Sequence, residues 1–226
     1  MKILLPTAYL PPVVYMAAIV AAENVDVEIC ETYPKQTYRN RCQISTPSGS
    51  HTLSIPVSKI NGNNTLTKDI AISNVEKWQL IHWRAIESAY NNSAFFLYYR
   101  DEFEDLYFKK HENLVQFNTL LLDKLLKLMH IDTVMIFTDD FEKVPVESLD
   151  LRTIISPKIS DPLVPKSLYK PYFQAFGDKT GFLHNLSVID LLFSEGPRSI
   201  DYLFELAVYL KPLLQRAFIQ QQQHGL

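Results

Sequence analysis

The stretch KILLPTAYLPPVVYMAAIVAAENVDVEIC, residues 2–30, decides the fold class of this chain. Residues 2–6 are a short apolar run, residues 11–23 have the composition of a buried helix, and residues 25–30 alternate apolar with polar side chains. Two strands that are joined by a helical crossover pair in parallel within one sheet. The stretch therefore predicts a parallel strand-helix-strand opening.

The middle of the chain predicts a β-hairpin, two long helices and a further strand. Residues 41–46 and 51–57 are extended runs on either side of a Pro-Ser-Gly-Ser turn. From residue 74 the apolar period becomes helical, and a second helical stripe covers residues 114–128. Residues 133–138 are β-branched and apolar, which predicts a further strand of the sheet.

The last third of the chain predicts a long loop followed by helices. Residues 139–172 are rich in proline, and a loop of this length is unusual unless it covers a site. One closing helix begins near Ser187 and ends at a Gly-Pro pair, and a second covers residues 202–214. Residues 220–223 are expected to fray.

These elements predict an α/β fold. We expect a small mixed sheet, made of the first two strands, the hairpin and residues 133–138, which is covered by helices and followed by a mainly helical carboxyl-terminal part. A chain of 226 residues with 47% apolar content can bury such a core. We expect a single domain over residues 1–226, with a sheet-containing part (1–140) and a loop and helical part (141–226).

The charge and hydropathy of the chain argue against nucleic-acid and membrane partners. It has 22 Lys and Arg against 25 Asp and Glu, so no basic excess is present to hold a phosphate backbone. The apolar first residues imitate an export signal, but Pro6, Pro11 and Pro12 would break its helix. No other stretch approaches the roughly 20 apolar residues of a spanning helix. We therefore expect a cytoplasmic protein without an integral membrane segment.

Cysteine spacing and motif content narrow the chemistry. Cys30 and Cys42 fit neither a disulfide framework nor a zinc site, so reduced, buried thiols and no metal site are predicted. The glycines form neither a GxGxxG nor a GxxxxGK loop, which disfavours an ordinary dinucleotide or nucleoside-triphosphate enzyme. GxSxG and HExxH motifs are also absent. The cofactor stays unknown at this point.

The run KQTYRNRC, residues 35–42, is the most polar segment with a chemical signature. Guanidinium groups present a planar fork of donors that matches carboxylate or phosphate, so Arg39 and Arg41 indicate a site for an anionic ligand. The alternative is that both pair with neighbouring acidic side chains, of which Glu28 and Glu31 are examples. Of the two arginines, Arg41 is preferred as the ligand contact.

A family resemblance extends over nearly the whole chain. It rests on Tyr9-Leu10-Pro11-Pro12, residues 35–42, Leu53-Ser54-Ile55-Pro56-Val57, His82-Trp83 with Ser88-Ala89-Tyr90-Asn91, Phe95-Phe96, Asn185-Leu186-Ser187 and Asp190-Leu191-Leu192-Phe193. By these motifs the chain resembles the WbqC-like family in its Bacteroidetes-type form. Many relatives have glutamine where this chain has Leu5, and aspartate near the position of Glu31. The family takes its name from a protein of bacterial O-antigen gene clusters, which implies a role in surface-polysaccharide biosynthesis.

Two residues of these motifs lie on the inward side of the helix predicted from residue 74. His82 has an ordinary pKa near neutrality and can move a proton, and Tyr90, two turns further on, can bring its hydroxyl to the same cleft. A satisfied core histidine and a packed core tyrosine are the structural alternatives. Tyr9, in the opening motif, is a further ligand-binding candidate by the resemblance.

The remaining candidates are polar residues in apolar surroundings. Asn118 on the second long helix either orients a ligand or binds a backbone carbonyl. Asn185 and Gln174 suit either a sugar or a packed aromatic cluster. Asp190 is a catalytic candidate together with His82, but Ser187-Val188-Ile189-Asp190 also fits a capping box, in which Asp190 accepts from the Ser187 amide.

Two functional hypotheses follow. The first is an enzyme of surface-polysaccharide biosynthesis, a possible transferase, that transfers or modifies a group on an anionic sugar-related substrate. The arginines would hold the anion, His82 would move a proton, and the other candidates would position the ligand. The second is a noncatalytic scaffold or assembly partner that docks through an aromatic surface around residues 95–99.

Overall fold

The fold is described by a computed structural model, which covers residues 1–157 and 163–224. The strands are β1 (Lys2–Pro6), β2 (Asn24–Glu28), β3 (Arg41–Thr46), β4 (Gly49–Ser54), β5 (Val57–Ser58), β6 (Ala71–Ile72), β7 (Met135–Phe137) and β8 (Leu149–Asp150). The helices are α1 (Val13–Ala21), α2 (Trp78–Tyr90), α3 (Phe96–Tyr107), α4 (Leu114–Leu128), α5 (Gly177–Thr180), α6 (Val188–Glu195) and α7 (Ser199–His224). Residues 158–162, part of the predicted 139–172 loop, and the last two residues lie outside the described residues.

The main sheet is parallel, with strand order β7-β2-β1-β8. Lys2 pairs with Asn24 and Pro6 with Glu28, so β1 and β2 are in register along their whole length. The short crossover α1 is buried on all sides over Val13–Ile19, which explains its apolar sequence. The α/β fold and its parallel strand-helix-strand opening are confirmed.

The position of the hairpin differs from the prediction. Strands β3 and β4 form a separate antiparallel pair instead of joining the main sheet. The place beside β1 is taken by β8, a strand of two residues that pairs in parallel through Ile3 and Leu149. Cys42, Ile44 and Leu53 of the hairpin point into the hydrophobic core.

The helices on one face of the sheet close the core. Ile3, Leu5 and Val25 are at most 1% exposed and belong to the same core as α1, α4 and α7. On the opposite face, Lys2, Leu4 and Asp26 border the segment 138–148. The prediction that the 139–172 loop lies over a sheet face is therefore confirmed for its first part. In residues 1–157 and 163–224, no helix has the length and apolarity to cross a bilayer.

Two helix boundaries also differ from the prediction. Helix α2 begins at Trp78 rather than near residue 74, and Val75 is 92% exposed. Helix α7 continues through residues 220–223, so the prediction of fraying there is wrong. The cause is Gln221, whose Oε1 accepts from the Asp150 amide at 2.9 Å. Its Nε2 donates to the carbonyls of Pro145 at 2.8 Å and Ser148 at 2.9 Å.

Replacing Gln221 by alanine is expected to lower the free energy of unfolding by about 2 to 3 kcal/mol, because three part-buried backbone groups lose their partner. Urea unfolding of Gln221→Ala measures the loss. Gln220→Ala is the matched control, since Gln220 is exposed on the same helix turn. Equal stability of the two variants would show that the end of α7 does not hold β8.

Candidate functional site

One buried carboxylate joins the carboxyl ends of the parallel strands. Glu28, the last residue of β2, is 0% exposed. Its Oε1 accepts from the amides of Cys30 at 2.6 Å and Glu31 at 3.0 Å and from the Thr138 hydroxyl at 3.0 Å. Its Oε2 accepts from Nη1 of Arg152 at 3.0 Å. Glu28 thus ties the ends of β2 and β7 to the segment that follows β8.

Arg152 extends this network to β8. It is 5% exposed and donates from Nε and Nη2 to the two carboxylate oxygens of Asp150, at 2.9 and 2.7 Å. In open α/β sheets, ligands bind outside the carboxyl ends of the strands, where neighbouring connections lead to opposite sides. Strand β1 occupies this position in the sheet, because β2 pairs with it on one side and β8 on the other. The edge around Glu28 is therefore where this fold is expected to bind a ligand.

Arg39 lies at this edge but is already paired. It is 2% exposed, its Nε donates to Oε1 of Glu31 at 2.7 Å, and its Nη2 forms an ion pair with the same oxygen. Burial raises the pKa of Glu31, and the Arg39 guanidinium opposes that shift. Asn118 donates to the Arg39 carbonyl at 2.8 Å and to the Thr7 hydroxyl, directly after β1, at 3.1 Å. Arg39 is thus paired with a neighbouring carboxylate and Asn118 binds a backbone carbonyl, which are the structural alternatives for these two residues.

Arg41 differs from Arg39 in having no ion-pair partner among residues 1–157 and 163–224. It is half-buried at the start of β3, and its strand partner Ser54 is exposed. Its Nε is buried without a hydrogen-bond partner in the part of the chain that the structure describes. A buried donor without an acceptor costs free energy, so this Nε distinguishes Arg41 from the paired Arg39.

His82 belongs to a buried chain of hydrogen bonds. The Tyr9 hydroxyl lies 2.9 Å from Nδ1 of His82 and 2.7 Å from the Tyr107 hydroxyl. The His82 ring also hydrogen-bonds the backbone of Ser54, the strand partner of Arg41. Burial lowers the pKa of His82 to about 4, although the Ser54 bond raises it. His82 is therefore neutral at pH 7 and lies next to the same end of the hairpin as Arg41.

Asp190 is the centre of a second buried cluster. It is 1% exposed on α6 and accepts from the Tyr172 hydroxyl at 2.6 Å and from Nε2 of Gln174 at 2.8 Å. Tyr90 of α2 also hydrogen-bonds it. Burial raises the pKa of Asp190, and these three donors oppose the shift. Three predicted residues from distant parts of the sequence are thus brought together.

The segment before α6 caps α1 instead of its own helix. Oδ1 of Asn185 accepts from the Val14 amide at 2.9 Å, which satisfies one of the free N–H groups at the start of α1. The Ser187 amide donates to the carbonyl of Gln43 in β3 at 2.8 Å. The capping-box alternative for Asp190 is therefore wrong, because the hairpin already uses the amide that Asp190 would have bound.

Seven of the nine predicted residues form three buried groups: Tyr9 with His82, Arg39 with Asn118, and Tyr90 with Asp190 and Gln174. Arg41 lies near the first group through Ser54, and Asn185 stands apart at α1. None of the nine lines the cleft of about 190 Å³ between the sheet and segment 138–148, which is bordered by Asp26 and Glu28. Their catalytic and ligand-binding roles stay predictions.

Sequence reasoning missed the residues that organise the site. Glu28 had a usable signal, because it is a carboxylate at the predicted carboxyl end of a parallel strand. Arg152 lies in a proline-rich segment without periodicity, and Tyr107 and Tyr172 act through hydroxyls that meet distant partners. No local pattern of residues indicates such contacts.

The low pKa of His82 makes its effect on stability depend on pH. Above the ordinary value of 6.5 the histidine is neutral in both states, and between 6.5 and about 4 only the unfolded chain is protonated. Stability from neutral His82 is therefore lost as pH falls through this window. We expect the free energy of unfolding of the wild type, relative to His82→Gln, to drop by about 3 kcal/mol between about pH 7.5 and pH 4.

Urea unfolding at both pH values measures this difference. His130→Gln is the control for removing a histidine, since His130 is exposed and outside the Tyr9 chain. A difference between wild type and His82→Gln that does not change with pH would place His82 in contact with solvent.

The chain is similar in sequence to known proteins. The WbqC-like protein family matches residues 7–160, which is more than half of the 226 residues. An uncharacterised protein of Mycobacterium tuberculosis, Rv1507c, is 26% identical over 196 residues, which cover 76% of this chain and 83% of the relative. No solved structure matches. The chain belongs to the WbqC-like protein family.

Proposed function

We propose that this protein is a cytoplasmic enzyme of bacterial surface-polysaccharide biosynthesis that transfers or modifies a group on an anionic sugar-related substrate. Family membership supports the pathway through the family's name. The substrate binds at the carboxyl edge of the sheet, outside the open end of the β3–β4 hairpin. Its anionic group contacts Arg41.

The main support for the proposal is the Nε of Arg41, which is buried and has no hydrogen-bond partner among the described residues. Arg39, two residues earlier, is neutralised by Glu31, so the two arginines have different tasks. Arg39 supports the loop, and Arg41 offers its donors to the ligand. A guanidinium is suited to this task because its fork binds two anionic oxygens at once.

The neighbouring groups suit the polar part of such a substrate. His82 and Arg41 share the contact residue Ser54, so a substrate held by Arg41 lies on the hairpin side of the Tyr107–Tyr9–His82 chain. His82 moves a proton to or from this substrate only if it exchanges its hydrogen bond to the Ser54 backbone for one to the substrate. Asp190 and Tyr90 stabilise the other end of the hairpin, where the Ser45 amide donates to the Tyr90 hydroxyl.

A noncatalytic scaffold is the second candidate, and one observation favours it. Leu97 and Tyr98 on α3 are 70% and 77% exposed, whereas Phe96 and Tyr99 beside them are buried. Exposed apolar side chains of this size are suited to a protein partner. A scaffold would show no stabilisation by small anionic sugars.

Ligand-induced thermal stabilisation tests the proposal. Nucleotide sugars and sugar phosphates are expected to raise the melting temperature of the wild type by mass action, and neutral sugars are not. Arg41→Lys keeps the charge but loses the fork, so the affinity should fall about tenfold while the unliganded melting temperature stays within about 2 °C. Arg84→Lys on the exposed side of α2 is the matched control.

Two results would contradict the proposal. A wild-type protein that responds to none of the anionic sugars would favour the scaffold. An Arg41→Lys variant that unfolds without ligand would make Arg41 a structural residue.

A further inference from the structure

Three hydrogen-bond donors near the open end of the hairpin have no anionic acceptor in the described chain. They are the guanidinium of Arg41, the ammonium of Lys59 and the hydroxyl of Tyr33. In residues 1–157 and 163–224, neither Arg41 nor Lys59 has a carboxylate within ion-pair distance, and the Tyr33 hydroxyl has no hydrogen-bond partner. An excess of donors at one place is the signature of a missing acceptor.

Two hydrogen bonds hold the segment that leads to Lys59 against the residue before Arg41. The Ile55 amide donates to the Asn40 carbonyl, and the Asn40 side-chain amide donates back to the Ile55 carbonyl, both at 2.8 Å. These two bonds hold the connection from β4 to β5 against the residue that precedes Arg41. Lys59 directly follows β5, four residues after Ile55.

Tyr33 is in contact with Lys59 and close enough to Arg41 to feel its charge. Nζ of Lys59 is 5.3 Å from the centre of its ring and donates to its carbonyl at 3.5 Å. Burial raises the pKa of Tyr33 to about 12, although the guanidiniums of Arg39 and Arg41 are close enough to lower it. The hydroxyl therefore keeps its proton at neutral pH and can donate it in a hydrogen bond. The Tyr33 amide is bonded to the Thr65 carbonyl at 3.0 Å, which anchors the residue.

The charges at this place select the ligand. Glu31 neutralises Arg39, which leaves the charges of Arg41 and Lys59 without a counter-charge from the described chain. A carboxylate carries one negative charge and would leave one cation unmatched. A phosphate group carries up to two charges and has three oxygens, one for each donor.

We infer that Arg41, Lys59 and Tyr33 form a subsite for the phosphate group of a phosphorylated sugar substrate. This inference rests on the proposed function and specifies its substrate class. The phosphate can be the terminal monoester of a sugar phosphate or part of the diphosphate of a nucleotide sugar. Lys59 and Tyr33 are binding residues in this subsite and take no part in the chemical step.

The test measures thermal shifts with inorganic phosphate, glucose 1-phosphate, UDP-glucose and glucuronate at one ionic strength, since surface charges are screened by salt. The wild type is compared with Lys59→Met, which keeps the aliphatic stem over Tyr33 and removes the charge. Lys109→Met, on an exposed residue at the end of α3, is the matched control. Tyr33→Phe tests the hydroxyl alone.

The subsite predicts that phosphorylated probes stabilise the wild type more than glucuronate. Lys59→Met should weaken binding of those probes about tenfold or more, with glucuronate little affected. The stronger of glucose 1-phosphate and UDP-glucose identifies the source of the phosphate.

Other outcomes overturn the inference in distinguishable ways. If Lys59→Met binds phosphorylated probes as Lys109→Met does, or if glucuronate binds best, the phosphate subsite is wrong while the anionic substrate survives. If the wild type responds to none of the four probes, the inference and the proposed function fail together.

Discussion

The carboxylate of Glu28 is the group on which the rest of this structure depends. It is completely buried at the end of β2 and accepts four hydrogen bonds, from two backbone amides, a hydroxyl and a guanidinium. A buried charge is stable only when it is paired and its oxygens are bonded, and here the partners come from three places in the sequence. Each partner is thereby fixed at the carboxyl edge of the sheet. Strand β8, with two residues, holds its place beside β1 through Arg152 and Gln221 more than through its own pairing.

This edge determines where the polar run of residues 35–42 lies. The Glu31 amide donates to the Glu28 carboxylate, and the Glu31 side chain forms an ion pair with Arg39. Arg39 therefore neutralises a carboxylate of its own loop. Arg41 follows after two residues, at the start of a strand whose inner side chains are buried, and no carboxylate of the described chain pairs with it. Two arginines that are separated only by Asn40 thus have different environments. The functional proposal follows from that difference, since a buried donor without a partner is retained where a ligand supplies the acceptor.

The fold could be predicted from sequence where the pattern was local and long. The parallel opening follows from residues 2–30, and α6 follows from its apolar period and its Gly-Pro end. The placement of the hairpin could not be predicted, because the strand that excludes it from the sheet, β8, has two residues in a proline-rich segment. The capping-box alternative for Asp190 is wrong for a related reason: its sequence pattern is present, but the Ser187 amide donates to the carbonyl of Gln43, 144 positions away in sequence. For the site, residue types indicated Arg41, whereas the environment that separates it from Arg39 appears only when Glu31 is in place.

A double-mutant cycle over Glu28 and Arg152 tests the central claim that this buried pair holds the carboxyl edge together. Glu28→Gln, Arg152→Met and the double variant are compared with the wild type by urea unfolding, and the exposed pair Lys110–Glu112 provides a reference cycle. Removing one partner leaves the other charge buried and unpaired. We therefore expect a coupling energy of about 3 kcal/mol between Glu28 and Arg152, against less than about 0.5 kcal/mol for the exposed pair. A coupling energy for Glu28 and Arg152 as small as that of the exposed pair would show that this buried pair does not hold the carboxyl edge of the sheet together.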